Sequence, residues 1–158
     1  MPDANFADRL LAAIAEKKTP LIVGLDPVYS KLPPAITEQK SMNDADDAEA
    51  ACDALLEFCT RVLKAVAPHV PAVKINSAFF ERYLWDGVEA YTQVVQEAAA
   101  HDLIVIGDVK RGDIANTSRH YADATLGDPE FAELDDLVGP DAVTVSPYLG
   151  GDSVQPFL

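Results

Sequence analysis

Four short apolar runs decide what this chain can fold into: LIVGL at 21–25, AVKIN at 72–76, LIVIGDVK at 103–110 and AVTVS at 142–146. Each has strand length, and each is separated from the next by apolar residues at helical spacing. Alternating strand and helix signals of this kind give parallel strands with helices crossing over between them. One helix is expected over residues 6–17, with Phe6, Leu10, Leu11 and Ile14 on its apolar stripe. A second is expected from about Asp44 to Ala67, carrying Ala48, Ala51, Cys52, Leu55, Cys59, Val62, Leu63 and Val66 and ending at Pro68. A short helical stretch, SAFFERYLW, precedes Gly87; longer ones cover 88–100 and about 114–124. The pattern is α/β within a single domain of residues 1–158, and it fits either a doubly wound sheet or part of a (β/α)8 barrel.

Composition narrows the function. Lys and Arg number 12 against 26 Asp and Glu, a net charge of −14, which argues against nonspecific binding to nucleic acid or to an anionic membrane surface. The start, MPDANFADRLLAAIAEKK, is too acidic and too evenly patterned for a secretory signal. No run approaches the ~20 apolar residues of a membrane span, so a cytoplasmic location is the default expectation. Cys52 and Cys59 lie on one face of a helix, seven residues and about 10 Å of helix rise apart, too distant for a disulfide, and read as small core residues. His69, His101 and His120 lack metal-ligand spacing, and the acidic groups at 44–49 and 133–136 read as helix starts and solvated faces, so no metal site is expected.

In both candidate architectures a site belongs at the carboxyl ends of the strands. Three of the four runs end in polar or charged residues: Asp26; Lys74 with Asn76; Asp108 with Lys110. The GLDP after the first strand lacks the GxGxxG spacing of a dinucleotide site. The following connection, DPVYSKLPPAITEQKSMN, has three prolines and no periodicity, and its length favours a functional loop. The late Gly150-Gly151 reads as a tight strand-to-helix turn, with Asp152 or Ser153 as N-cap.

The run GDVKRGDIANTS at 107–118 concentrates charge directly after a core strand. Strand alternation puts Asp108 and Lys110 on one side. Gly112 permits a sharp exit, after which Asp113 either bends back to the same site or reaches a neighbouring subunit. A lysine held between two carboxylates keeps its proton, which suits a proton donor. An ion-pair network closing the strand end is the competing interpretation, and Lys74, a second cation on an adjacent strand end, favours the site.

DVKRGDIANT resembles the DxKxxDIxNT signature of orotidine 5′-phosphate decarboxylases, and GLDP, KINSAFFERYLWDG and VSPYLGGDSVQPF resemble that family's other motifs in the same order. The proline-rich loop is similar to that of the family's longer bacterial branch. The resemblance implies a (β/α)8 TIM barrel, of which about the first four β/α units are present. It implies decarboxylation of orotidine 5′-monophosphate to uridine 5′-monophosphate with no cofactor and no metal. Lys74, Asp108, Lys110 and Asp113 would form an alternating charged tetrad. Lys110 would protonate C6 as carbon dioxide leaves, Asp108 would lie against the substrate carboxylate, and Lys74 and Asp26 would contact the ribose hydroxyls. Asp113 and Thr117 would be shared across a homodimer.

The resemblance covers the amino-terminal half of the family's barrel. The later strands supply, in the family, a base-contacting hydroxyl, a lid-loop glutamine and a phosphate-gripping arginine, so membership and activity of these 158 residues alone are separate expectations. The leading reading is a shortened chain whose full-length parent is the decarboxylase. The alternatives are a sister barrel lyase acting on a sugar phosphate with magnesium, which DIANT argues against, and a non-catalytic half-barrel module.

Overall fold

The computed structural model describes residues 5–38, 47–127, 131, 134 and 137–158. Strands β1 (Ile22–Leu25), β2 (Ala72–Asn76), β3 (Ile104–Arg111) and β4 (Ala142–Val145) form one sheet in the order β1-β2-β3-β4, every neighbouring pair parallel. This order separates the two architectures left open by the strand pattern. A doubly wound sheet reverses direction at a switch point, whereas successive barrel units add strands in one direction. The chain is a run of consecutive β/α units of the (β/α)8 type.

The helices are α1 (Phe6–Lys17), α2 (Pro34–Thr37), α3 (Ala48–Val66), α4 (Ala78–Glu81), α5 (Leu84–Ala100), α6 (Ala115–Leu126) and α7 (Gly151–Val154). Helix α3 starts at Ala48 rather than near Asp44 because Asp47 caps it, its carboxylate accepting the N–H groups of Glu49 (3.0 Å) and Ala50 (3.3 Å). Asp44 itself and most of the acidic stretch at 128–137 lie outside the described residues. Helix α5 begins at Leu84, so Gly87 is inside a helix and does not separate two. A Cβ on Gly87 would come 1.8 Å from the carbonyl oxygen of Phe80, and glycine is what lets the first turn of α5 pack onto α4. The connection after β1 holds a 3₁₀ turn (Tyr29–Lys31) and α2, which bury Leu32 and Ile36; both are too short to show periodicity.

Helices α3 and α5 cover one face of the sheet. Cys52, Leu55, Cys59 and Leu63 recur every three or four residues along α3 and pack in one cluster with Ala90, Val94, Val95 and Ala98 of α5. The sheet contributes Leu25, Val73, Ile75 and Val105 to the same cluster. Phe80 is fully buried and meets the Tyr91 ring edge-on at 5.8 Å. Each such fully buried leucine or phenylalanine stabilises the fold by about 1.5–3 kcal/mol. Both cysteines are free and buried, as their place on the α3 stripe predicts. Burial pushes the Cys59 thiol up to about 12; burial, with Asp86 and Asp53 nearby, pushes Cys52 up to about 11.

At the amino-terminal rim of the sheet, Asp141 joins three elements. One oxygen pairs with Arg9 of α1, and the other accepts the N–H of Val105 at 2.7 Å. At the opposite rim, Gly150 takes a φ of 129° and makes the turn by itself, so α7 begins directly at Gly151. Asp152 and Ser153 therefore sit within the helix instead of capping it; the Ser153 hydroxyl donates back to the Gly150 carbonyl at 2.6 Å. Among the described residues no helix is long and apolar enough to cross a membrane.

Candidate active site

Strand alternation that sends Leu25, Val73, Ile75 and Val105 to the helices sends Gly24, Lys74, Asn76, Ile106 and Asp108 to the other face. The parallel register then stacks these in levels. Gly24 lies beside Lys74 and Lys74 beside Ile106, while Asn76 lies beside Asp108 one level nearer the carboxyl rim. Lys74 extends upward from the lower level. Its ammonium donates to Asp108 Oδ2 at 2.7 Å and stands 3.8 Å from Asp26 Oδ1. The expected contact between the ends of the first three strands is thus made, and its centre is a lysine between two carboxylates.

Lys110 completes the group from the other side, its Nζ lying 2.7 Å from Asp108 Oδ1. Asp108 and Lys110 meet as expected, although regular alternation is not the reason. The pairing of β3 with β4 shifts between Gly107 and Arg111: Gly107 faces Val143, and Arg111 already faces Val145. Extra residues on β3 form a bulge, and Lys110 sits in it with a φ of 48°. That left-handed backbone lifts Lys110 out of the sheet, leaving its side chain 65% exposed beside an Asp108 side chain only 9% exposed. The result is a buried anion with a reachable cation on it.

Thr144 of β4 belongs to the same group and was not anticipated. Its hydroxyl donates to Asp108 Oδ1 at 2.9 Å and accepts the backbone N–H of Lys110 at 3.0 Å. In the sequence, AVTVS offers only a strand without a charged end. Once Ala142 is registered against Ile106, however, alternation puts Thr144 on the Asp108 face. Burial opposes ionisation of Asp108, but hydrogen bonds from Lys110, Lys74 and Thr144 outweigh it and hold the carboxyl well below the usual carboxylate range. The group is an alternating array of Asp26, Lys74, Asp108 and Lys110.

Asp113 is not brought to Lys110 within the chain. Its carboxylate accepts the N–H of the adjacent Ile114 at 2.7 Å, and Thr117 lies exposed on α6. The expected clamp of two carboxylates therefore surrounds Lys74 rather than Lys110. Arg111, the remaining cation of the run, turns away from the group. It pairs with Glu81 of α4 at 2.7 Å and lies over the Tyr121 ring at 5.3 Å. Burial of Glu81 is outweighed by hydrogen bonds from Ser77 and Arg111, which lower its pKa. Gly112 is needed for close approach, since a Cβ there would meet Ser146 Cβ at 2.9 Å. A cavity of about 390 Å³ lined by Tyr91, Val95, Leu137, Val138 and Pro140, among others, shares no residue with the array. Charge arrangement, not cavity size, marks the site.

The chain matches known proteins over nearly its whole length. Residues 19–158 match the model of the orotidine 5′-phosphate decarboxylase / HUMPS family. An orotidine 5′-phosphate decarboxylase of Rhodopirellula baltica is 43% identical over 156 residues, covering 98% of this chain and 49% of its own length. One from a Nocardioides species is 40% identical over 153 residues, with 97% and 50% covered. The structure of Leishmania donovani OMP decarboxylase superposes with a TM-score of 0.68 at 31% identity, covering 98% of this chain and 49% of that one. The chain spans about half the length of the curated relatives it matches. By sequence and by strand order, this chain belongs to the orotidine 5′-phosphate decarboxylase / HUMPS family.

Proposed function

We propose that the array is the catalytic half of an enzyme that converts orotidine 5′-monophosphate to uridine 5′-monophosphate in the cytoplasm. The observation that carries this reading is Asp108, buried and held ionised between two ammonium groups at the carboxyl rim. A carboxylate so placed presents fixed negative charge to the substrate carboxylate, and Lys110 stands beside it. As the bond from C6 to the carboxylate breaks, carbon dioxide leaves and the electron pair stays on C6. Lys110 delivers its ammonium proton there and recovers one from solvent. The developing carbanion has no conjugated sink, so a preorganised cation is the means of stabilising it. Lys74 holds Asp108 and, with Asp26, faces the ribose hydroxyls.

Asp113 and Thr117 stand outside the array in one chain. That placement supports assigning them to the site of a second copy in a homodimer. No metal or organic cofactor enters the reaction as written, and the groups that hold the phosphate belong to the remaining half of the relatives' length.

The test joins this chain to the remaining half of the Rhodopirellula relative and follows loss of orotate absorbance with no metal added. Turnover is expected, and Lys110→Ala is expected to abolish it while the circular dichroism spectrum stays unchanged. In the fusion, uridine 5′-monophosphate is expected to shift the amide signals of Asp26, Lys74, Asp108 and Lys110. A Lys110→Ala fusion that still turns over, or a nucleotide that leaves those signals of the fusion in place, would overturn the assignment.

A further inference from the structure

We propose that Thr144 is a positioning residue: one hydroxyl that fixes both the Asp108 carboxylate and the bulge carrying Lys110. The inference rests on the reading above for its link to turnover, but its geometry stands without it. Regular pairing between β3 and β4 is interrupted from Gly107 to Arg111, which takes the ordinary ladder acceptor away from the Lys110 N–H. Thr144 Oγ1 supplies the acceptor, at 3.0 Å. Lys110 has a φ of 48°, a conformation that costs a non-glycine residue about 1–2 kcal/mol and persists only where the surroundings hold it.

A threonine hydroxyl has one proton. An ionised Asp108 accepts only, so the Thr144 proton must point to Asp108 Oδ1, and a lone pair is thereby left for the Lys110 N–H. The direction of the second bond is set by the charge of the first partner. The same Oδ1 receives the Lys110 ammonium, while Oδ2 receives Lys74, which also faces Asp26 of the first strand end. Thr144 therefore closes a small ring through Asp108, the Lys110 side chain and the Lys110 backbone. Its role is to keep the proton donor and the anion in one fixed relation, without itself touching the reacting atoms.

Amide hydrogen exchange and carboxyl titration by NMR on the 158-residue chain test this directly, with Thr144→Val removing the hydroxyl at constant shape and Thr144→Ser keeping it. In the unmodified chain the Lys110 amide should be protected although it has no ladder partner. Thr144→Val should speed its exchange at least about tenfold and move the Asp108 titration upward, with Thr144→Ser close to the unmodified chain. In the fused enzyme, Thr144→Val should lower kcat about ten- to a hundredfold with KM within about threefold, and Thr144→Ser should recover most of it. An unprotected Lys110 amide in the unmodified chain overturns the proposal without any variant, as does equal loss in the Val and Ser variants. A fusion without turnover, in a chain whose Lys110 amide and Asp108 titration both respond to Thr144→Val, would sink the decarboxylase reading and leave the positioning role standing.

Discussion

Replacing Gly87 with alanine should cost far more than the addition of one methyl suggests. The new Cβ would lie 1.8 Å from the Phe80 carbonyl oxygen, 2.7 Å from the Phe80 carbonyl carbon and 3.1 Å from Tyr83 Cβ. The first two are backbone atoms, so no rotamer change relieves the contact. The same carbonyl accepts the N–H of Tyr83 at 2.8 Å, and moving it weakens the turn that joins α4 to α5. Overpacking in a core typically costs about 1–3 kcal/mol, and a rigid obstacle puts this case at the upper end or above. Alanine returns about 1 kcal/mol of helix propensity. A net loss of about 2–3 kcal/mol follows, and for a urea m-value of ~2 kcal/mol/M the midpoint should fall by roughly 1 M. Urea denaturation followed by far-ultraviolet circular dichroism reads this. Gly151→Ala is the comparison, because a Cβ there meets nothing within 4 Å; its stability should change by less than about 0.5 kcal/mol. An unchanged or raised midpoint in Gly87→Ala would refute the packing argument.

Asp108 is held ionised in the fold by its hydrogen-bond donors, so its folded pKa lies below the unfolded value and its stabilisation is complete above about pH 4. Asp108→Asn should therefore be less stable than the parent at pH 7, with the gap in urea midpoint closing as pH falls below about 4; a gap constant with pH would be wrong for this mechanism. The cysteine thiols have the opposite sign. Their folded pKa values are raised to about 11 and about 12, so stability should be full below the unfolded thiol pKa and decline above pH ~8.5, where the unfolded chain ionises first. A thiol reagent at pH 8 should label Cys52 and Cys59 no faster than the chain unfolds. For Arg111 and Glu81, both partly exposed, a double-mutant cycle with Arg111→Met and Glu81→Gln should give a coupling of about 0.5–1 kcal/mol, measured by denaturation midpoints.

Strands were legible because each is a compact apolar run, and β2 begins and ends where AVKIN does. The α3 stripe was legible because Cys52, Leu55, Cys59 and Leu63 pack in one cluster with the sheet. Helix α1 forms where its spacing predicts, but none of its residues is buried and Leu11 of the expected stripe is 63% exposed. Gly87 misled because glycine signals both a break and a close approach, and only the Phe80 carbonyl distinguishes them. Of the site, Lys74, Asp108 and Lys110 follow from charge at strand ends, which few core segments tolerate. Thr144 was hidden because a hydroxyl in a strand carries no charge signal, and its parity matters only once β4 is registered on β3. The bulge at Lys110 was equally hidden, since a two-residue register shift leaves no mark in the spacing of a single strand. Asp113 could not be assigned a side from the sequence, because its neighbour Gly112 allows either exit, and within the chain its carboxylate meets the Ile114 N–H and not the array.

The clamp at Asp141 separates two kinds of tolerance to change. Arg9, Asp141 and the Val105 N–H bind the amino-terminal helix to the sheet at the rim farthest from the charged array. Substitutions there alter how firmly the scaffold is held without altering which groups meet a ligand, whereas substitutions at the other rim do the reverse. A protein engineer raising the melting temperature of this chain therefore has a region to work in where gains in robustness and losses in chemistry are not coupled. Over evolutionary time the same separation lets one rim drift in response to temperature while the other stays answerable only to the molecule it receives.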